Sequence, residues 1–453
     1  MRWLLSLLLA LPLAAAAQDF PRGQLIEKVV TRADPEQSYA LYLPTSYRPD
    51  VKWPILYVFD ARWNGVHAGG RFVAGAEKYG YIVASSNNSA SDGPVEPNFL
   101  ALRRMWTDTQ VRLSIDSRRV YAAGFSGTVR TSIMSARAAP GTIAGVIAAG
   151  AGFPFGSPPN PADSFLYYGT VGDRDFNYYE VLDVAEQMTE LGLPNRVEVW
   201  EGRHDWMPEQ QATRAFAWLE IQAMKKGLRE KDAPLVEKIW SEDLARARAL
   251  EATDILEAHR LYAAMAGDYQ GLVDAEALNE VAVQVSRIAA SDAFKKDRKR
   301  WQEIELRDKQ YLAAAPQAMA TASVEQAVFD LQIKELWKKA KTGEPLERLS
   351  AQRLLNALMG QTAFYLPRQF TEQGNHERAA FVLGIAVEIA PDNAEIWYEL
   401  AAAQARKGTK KKALESLRKA VDLGLKDLAR LEKEPAFAAL RQEKKYRELV
   451  SGM

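Results

Sequence analysis

The sequence predicts a mostly parallel α/β sheet with helices on both of its faces, followed by an all-α domain of helical repeats. Two patterns carry this. Through the first half, short apolar or alternating runs of β character take turns with segments of helical spacing. Strands joined in this way by crossover helices make a parallel sheet that is buried on both sides. After Lys226-Gly227 the β signal stops, and from 233 onward Ala, Leu, Glu, Lys and Arg recur at helical spacing with occasional Gly and Pro.

Taken in order, the strand candidates are 39–43, which alternates and stops at Pro44, the apolar run 54–59, then 81–84, 120–123, 143–147, 165–168 and 197–200. Helical patterns lie between several of them, around 70–79, 97–113, 128–138, 179–191 and 208–226. Functional groups on such a sheet sit on the loops at the carboxyl ends of the strands. In the helical half, Gly374, Ala379, Leu383, Ala386 and Pro391 recur as Gly408, Ala413, Leu417, Ala420 and Leu425, each at an offset of 34 residues. That is the period of a two-helix repeat. Residues 428–450 read as a capping helix region, and 233–359 as degenerate helical hairpins.

At 453 residues the chain exceeds one typical core, so more than one domain is expected. Its parts are a leader over 1–17, a sheet domain over 19–226, a helical region over 233–359, and repeats with a cap over 360–453. In the leader, Arg2 supplies the positive end, Leu4 to Leu13 an apolar core, and Ala15-Ala16-Ala17 a small-residue cleavage site. A cleaved secretory signal and an exported protein, periplasmic or secreted, are therefore expected, with no membrane span. Lys plus Arg and Asp plus Glu both number 58, so no overall field favours a nucleic acid. The absence of cysteine excludes disulfides and thiol catalysis. No clustered ligands suggest a metal, and no Gly-rich phosphate loop is present, so neither metal nor cofactor is expected.

The chemistry concentrates on Gly124-Phe125-Ser126-Gly127, where a strand, a tight turn and a helix follow one another. A serine on such a turn has its hydroxyl thrust out of the sheet edge, and the next N–H, that of Gly127, faces the place where an oxyanion forms. Only four histidines exist, His67, His204, His259 and His376, and His204 alone lies between the serine and the helical half. It follows the last strand, where an imidazole can act as general base and leaving-group acid. Between the two, Asp173 and Asp175 follow the strand 165–168, and one of them can orient the imidazole; the spacing Gly172-x-x-Asp175 favours Asp175, with Asp173 the alternative. For a second oxyanion donor, the N–H of Ala61 or Arg62 in the loop after strand 54–59 is the candidate, and Asp60 beside them either takes part or ties that loop down. Trp63, Phe153 and Trp206, on loops at the same edge, are candidates for a substrate pocket or for ordinary core and rim packing.

On the stretches Val120-Tyr-Ala-Ala-Gly-Phe-Ser-Gly127, Gly172-Asp-Arg-Asp-Phe-Asn177 and Gly202-Arg-His-Asp-Trp206, the first half resembles the dienelactone-hydrolase and polyhydroxybutyrate-depolymerase-like esterases of the α/β-hydrolase family. The order Ser, Asp, His is that family's order. The resemblance implies a Ser126–Asp175–His204 triad, hydrolysis of an ester through an acyl-enzyme, and no metal or organic cofactor. The chain departs from the family's G-x-S-x-G pattern at Thr128, where the second glycine lets the helix approach the sheet. The C-terminal part resembles tetratricopeptide-repeat proteins, which implies a surface for a protein or peptide partner. The expectation is an exported serine hydrolase, a carboxylesterase of small-molecule or polymer esters. The alternatives are a peptidase with the same triad and an inactive hydrolase fold serving as a scaffold through its repeats.

Overall fold

The structure, a computed structural model, describes residues 20–452. The signal segment expected over 1–17 lies outside them. Eight strands form one sheet: β1 (Leu25–Thr31), β2 (Asp34–Tyr42), β3 (Trp53–Phe59), β4 (Ile82–Ser86), β5 (Ile115–Phe125), β6 (Gly145–Ala149), β7 (Leu166–Gly172) and β8 (Asn195–Trp200), in the order β1-β2-β4-β3-β5-β6-β7-β8. β1 and β2 pair antiparallel, as do β2 and β4; β3 pairs parallel with both β4 and β5, and β5 with β6. The fold class is the one the alternating pattern predicts. β4 and β6 are buried at every position, and β3 at all but its first, as expected of central strands covered on two sides.

Six helices interleave with these strands: α1 (Gly65–Gly70), α2 (Val73–Tyr79), α3 (Glu96–Arg112), α4 (Gly127–Ala138), α5 (Tyr178–Glu190) and α6 (Glu209–Lys225). Thirteen follow: α7 (Ala233–Leu250), α8 (Ile255–Asp268), α9 (Ala275–Ala290), α10 (Asp292–Ala318), α11 (Val324–Asp330), α12 (Ile333–Thr342), α13 (Pro345–Met359), α14 (Leu366–Glu372), α15 (His376–Ile389), α16 (Ala394–Arg406), α17 (Lys410–Asp422), α18 (Leu428–Lys433) and α19 (Lys444–Ser451). A π-helical turn, Gly360–Tyr365, joins α13 to α14. No helix among the described residues is long and apolar enough to cross a membrane.

Contacts divide the chain into two compact units. One holds residues 20–169, 187–196 and 206–232; the other holds 170–186, 197–205 and 233–452. The ends of β7 and β8, with the loops that follow them, thus belong with the helices. In the first unit the sheet core includes Ile55 to Phe59, Ile82 to Ala84 and Val120 to Ala123. Charged groups are buried with them, Glu220 among them. Glu220 on α6 accepts a hydrogen bond from the Tyr81 hydroxyl at 2.5 Å and pairs with Arg119 and Arg229. Burial pushes the Tyr81 phenol well up, and the neighbouring Glu220 carboxylate adds to the rise, so the phenol stays a neutral donor.

In the second unit four of the five pairs of the 34-residue offset serve matching purposes, while Pro391 is exposed where Leu425 is buried. Gly374 and Gly408 end helices at φ 71° and 87°. Ala379, Leu383 and Ala386 enter one apolar cluster; Ala413, Leu417, Ala420 and Leu425 enter the next. Leu431, Phe437, Leu440, Tyr446 and Leu449 close that second cluster. Each hairpin covers the apolar face of its neighbour, as stacked helical units must.

Candidate active site

β5 ends at Phe125, α4 begins at Gly127, and Ser126 is the hinge between them at φ 55°, ψ −129°. A side chain other than glycine at positive φ costs on the order of 1–3 kcal/mol and persists only where the surroundings impose it. Here they do. The Ser126 N–H donates to the Ala149 carbonyl at the end of β6 at 2.9 Å, and the Val129 N–H donates to Ser126 O at 3.0 Å. The bend also needs Gly124, where a Cβ would fall 2.5 Å from the Thr128 carbonyl oxygen and the Val129 nitrogen. The helix therefore approaches the strand at the first glycine of the motif.

Thr128, where the chain departs from G-x-S-x-G, is fully buried. Its hydroxyl accepts from the Phe125 N–H at 2.9 Å and donates to Phe59 O at 2.6 Å. It thereby ties the end of β5 to the end of β3, a bond that glycine could not make. Thr128→Val keeps the shape and removes both bonds, and is expected to lower stability by about 1–3 kcal/mol for the orphaned amide and carbonyl. Thr128→Ser should stay close to wild type. Urea unfolding of the two variants checks this, and equal midpoints would refute it.

Beyond Phe59 the chain turns through Asp60, which is buried to 4% exposure. Its Oδ1 accepts the N–H groups of Arg62 and Asn64 at 2.7 and 3.1 Å, and its Oδ2 accepts Trp206 Nε1–H at 2.8 Å. Asp60 ties the loop down. The Arg62 N–H is committed to it, whereas among the described residues the Ala61 N–H makes no hydrogen bond. The same loop pairs with the loop after β4: Trp63 N–H donates to Ser89 O at 2.9 Å, Ser91 N–H to Ala61 O at 3.0 Å, and Ser89 Oγ–H to Asp60 O at 2.9 Å. A Cβ built on Gly127 would lie 2.7 Å from Ser91 Cβ, so this paired segment passes beside the turn. Among the described residues, the non-glycine residues at positive φ are Trp63, Asp92, Ser126 and Gln332. Three of these four belong to this one constellation, and such backbone strain gathers at active sites.

Asp175 and His204 follow β7 and β8. His204 Nδ1 lies 2.9 and 3.0 Å from the two carboxylate oxygens of Asp175. A carboxylate only accepts, so Nδ1 carries the proton, and in the neutral imidazole the lone pair is then on Nε2. Asp175 Oδ1 also accepts the Asn177 N–H at 2.8 Å, which fixes the carboxylate plane. Asp173 faces elsewhere: its Oδ1 accepts the Gly202 N–H at 2.9 Å and meets Arg174 Nε at 3.1 Å. Of the two aspartates left open by the sequence, Asp175 is the one that the structure brings to the imidazole, and Asp173 binds its own loop to the one carrying His204. Phe176 lies against the imidazole, the ring centroids 4.1 Å apart; nothing in the sequence marked it.

The three aromatic candidates separate. Trp63 is 67% exposed. Phe153 is buried against Phe165 and Tyr167, with the Arg137 guanidinium over its ring at 4.9 Å. Trp206 is buried between Phe72 and Phe125 and spends its N–H on Asp60. Packing thus occupies Phe153 and Trp206. Asn98 was also missed: its amide bonds both backbone groups of Ala90, at 2.9 and 2.7 Å, and holds the loop after β4. An Asn on an amphipathic helix carries no signal of that. Among the described residues no group of three or more His, Asp or Glu side chains converges as metal ligands do.

No family model matches the chain, and no curated protein does. Solved structures similar to it include a ferulic acid esterase (18% identity, TM-score 0.32), covering 42% of this chain and 94% of its own. The fluorophosphonate-binding serine hydrolase F of Staphylococcus aureus is similar at 14% identity and a TM-score of 0.35, over 43% of this chain and 96% of its own. An esterase of Pyrobaculum calidifontis is similar at 13% identity and a TM-score of 0.35, over 45% and 87%. At these identities and scores, any functional reading rests on this chain's own side chains.

Proposed function

We propose that the protein is an exported serine hydrolase of the α/β-hydrolase kind, a carboxylic ester hydrolase working through an acyl-enzyme. In this reading Ser126 Oγ attacks the ester carbonyl while His204 Nε2 takes its proton. The oxyanion receives the N–H groups of Gly127 and Ala61, and His204 passes the proton to the departing alcohol. Water, losing its proton to His204, then attacks the acyl carbon; the acid leaves, and the proton returns to Ser126. Asp175 holds the imidazole tautomer and stabilises its charged form throughout. Trp63 is the exposed aromatic offered to a substrate. The 1–17 leader supports export, and the 34-residue period over α14 to α17, which resembles that of tetratricopeptide repeats, supports a protein or peptide partner.

The observation that carries the reading is the Asp175–His204 hydrogen bond, which leaves a basic Nε2 on a loop at the end of a strand in a chain that also strains its backbone to present Ser126. A fluorophosphonate probe tests it. Labelling of the folded wild type, lost in Ser126→Ala, is expected, together with turnover of p-nitrophenyl esters. A folded wild type that takes no label and turns over no ester would leave the scaffold reading in its place, and cleavage of peptides but not esters would leave the peptidase.

A further inference from the structure

The loop that carries Asp175 is gripped from the helical region. Arg353 and Asn356 lie one turn apart on α13. Arg353 Nη1 donates to the carbonyl oxygen of Asp173 at 3.0 Å, and Asn356 Nδ2 donates to that of Arg174 at 2.7 Å. These are the two peptide carbonyls immediately before Asp175. On its other side, Phe176 lies over Gly360, where a Cβ would sit 3.9 Å from its ring, and the same ring packs on His204. Residues 173, 174 and 176 are therefore all held by one stretch of helix.

That stretch is itself anchored. Arg353 is 5% exposed, and its guanidinium stacks over the rings of Tyr178 and Tyr179 at 4.4 and 5.2 Å. Its Nη2 donates to the Tyr179 hydroxyl at 3.2 Å; that hydroxyl donates to Asp308 Oδ2 at 2.8 Å, and Ser350 Oγ donates to Asp308 Oδ1 at 2.8 Å. Burial pushes the Tyr179 phenol up, so it stays protonated as the donor in this chain. A guanidinium that meets two aromatic rings and donates from both of its Nη atoms is held in orientation, unlike a surface arginine.

We propose that Arg353 and Asn356 are positioning residues for the Asp175–His204 pair, so that the helical region is a working part of the catalytic apparatus. The proposal rests on the hydrolase reading for its kinetic consequence but not for its structural one. A displacement of about 1 Å in a catalytic group can cost on the order of 100-fold. Asn356→Leu, close in size and unable to donate, is expected to lower kcat about 10- to 100-fold with KM within about twofold. Asn356→Ser, too short to reach the Arg174 carbonyl, should do the same and stands in if the leucine variant fails to fold. The signature that a merely structural role would not move is the downfield proton resonance of the His204 Nδ1–H, assigned by its loss in His204→Gln. In folded Asn356 variants that resonance should shift upfield and exchange faster with solvent. An unchanged resonance in a folded variant overturns the proposal, whatever the activity. Absent labelling of wild type by fluorophosphonate would instead overturn the hydrolase reading, and the resonance would still decide the positioning.

Discussion

Replacing Asp175 by asparagine is expected to lower kcat about 10⁴-fold with little change in fold. Both carboxylate oxygens face His204 Nδ1, and one of them also holds the Asn177 N–H. Asparagine turns one of these two acceptors into a donor. That donor can satisfy Nδ1 only if the imidazole proton moves to Nε2, and an imidazole protonated there cannot take the proton of Ser126. Asp173→Asn is the control. Its bond to the Gly202 N–H needs one acceptor oxygen, which asparagine retains, so a loss below about tenfold is expected. Steady-state kinetics on a p-nitrophenyl ester measures both, and equal losses would show that the pairing seen in the structure does not set the mechanism.

The second large effect is expected at Asp60. Its two oxygens satisfy the N–H groups of Arg62 and Asn64 and the Trp206 indole, all at a buried position. Asp60→Ala orphans three donors, each worth about 1–3 kcal/mol when left unsatisfied, with water entering the vacated space to recover part of that. The Ala61 N–H would then no longer be held in place. Loss of an oxyanion donor costs on the order of 10²–10³ in kcat, so the variant should unfold at lower urea and, while still folded, turn over at least 100-fold more slowly. Wild-type turnover in a destabilised but folded variant would remove Ala61 from the site.

Much of this was legible in the chain because chemistry forces unusual local sequence. A serine hydroxyl thrust from a sheet edge needs small neighbours, and Gly124 and Gly127 announced it. Four histidines and a fixed chain order left His204 as the one candidate base, and the structure pairs it with Asp175. What lay hidden depended on contacts between distant segments. Asp173 and Asp175 differ only in which way a short loop turns, which the Gly202 N–H and the imidazole decide from the next loop. Thr128 read as a flaw because its partner, Phe59 O, lies 69 positions away. β1 went unread since its residues Glu27 and Lys28 are exposed and its pairing with β2 is interrupted by register shifts, as befits an edge strand. Arg353 and Asn356 are polar positions in a helical stretch, and nothing in their spacing shows that they reach the backbone before Asp175.

The grip of α13 on the Asp175 loop also bears on how such a chain can change over generations. Arrays of stacked hairpins gain and lose members freely, because each touches only its neighbours. The exposed faces of the hairpins of α14 to α17 can drift in this way. α13 has no such liberty: a deletion there would remove the two donors that hold the backbone just before Asp175.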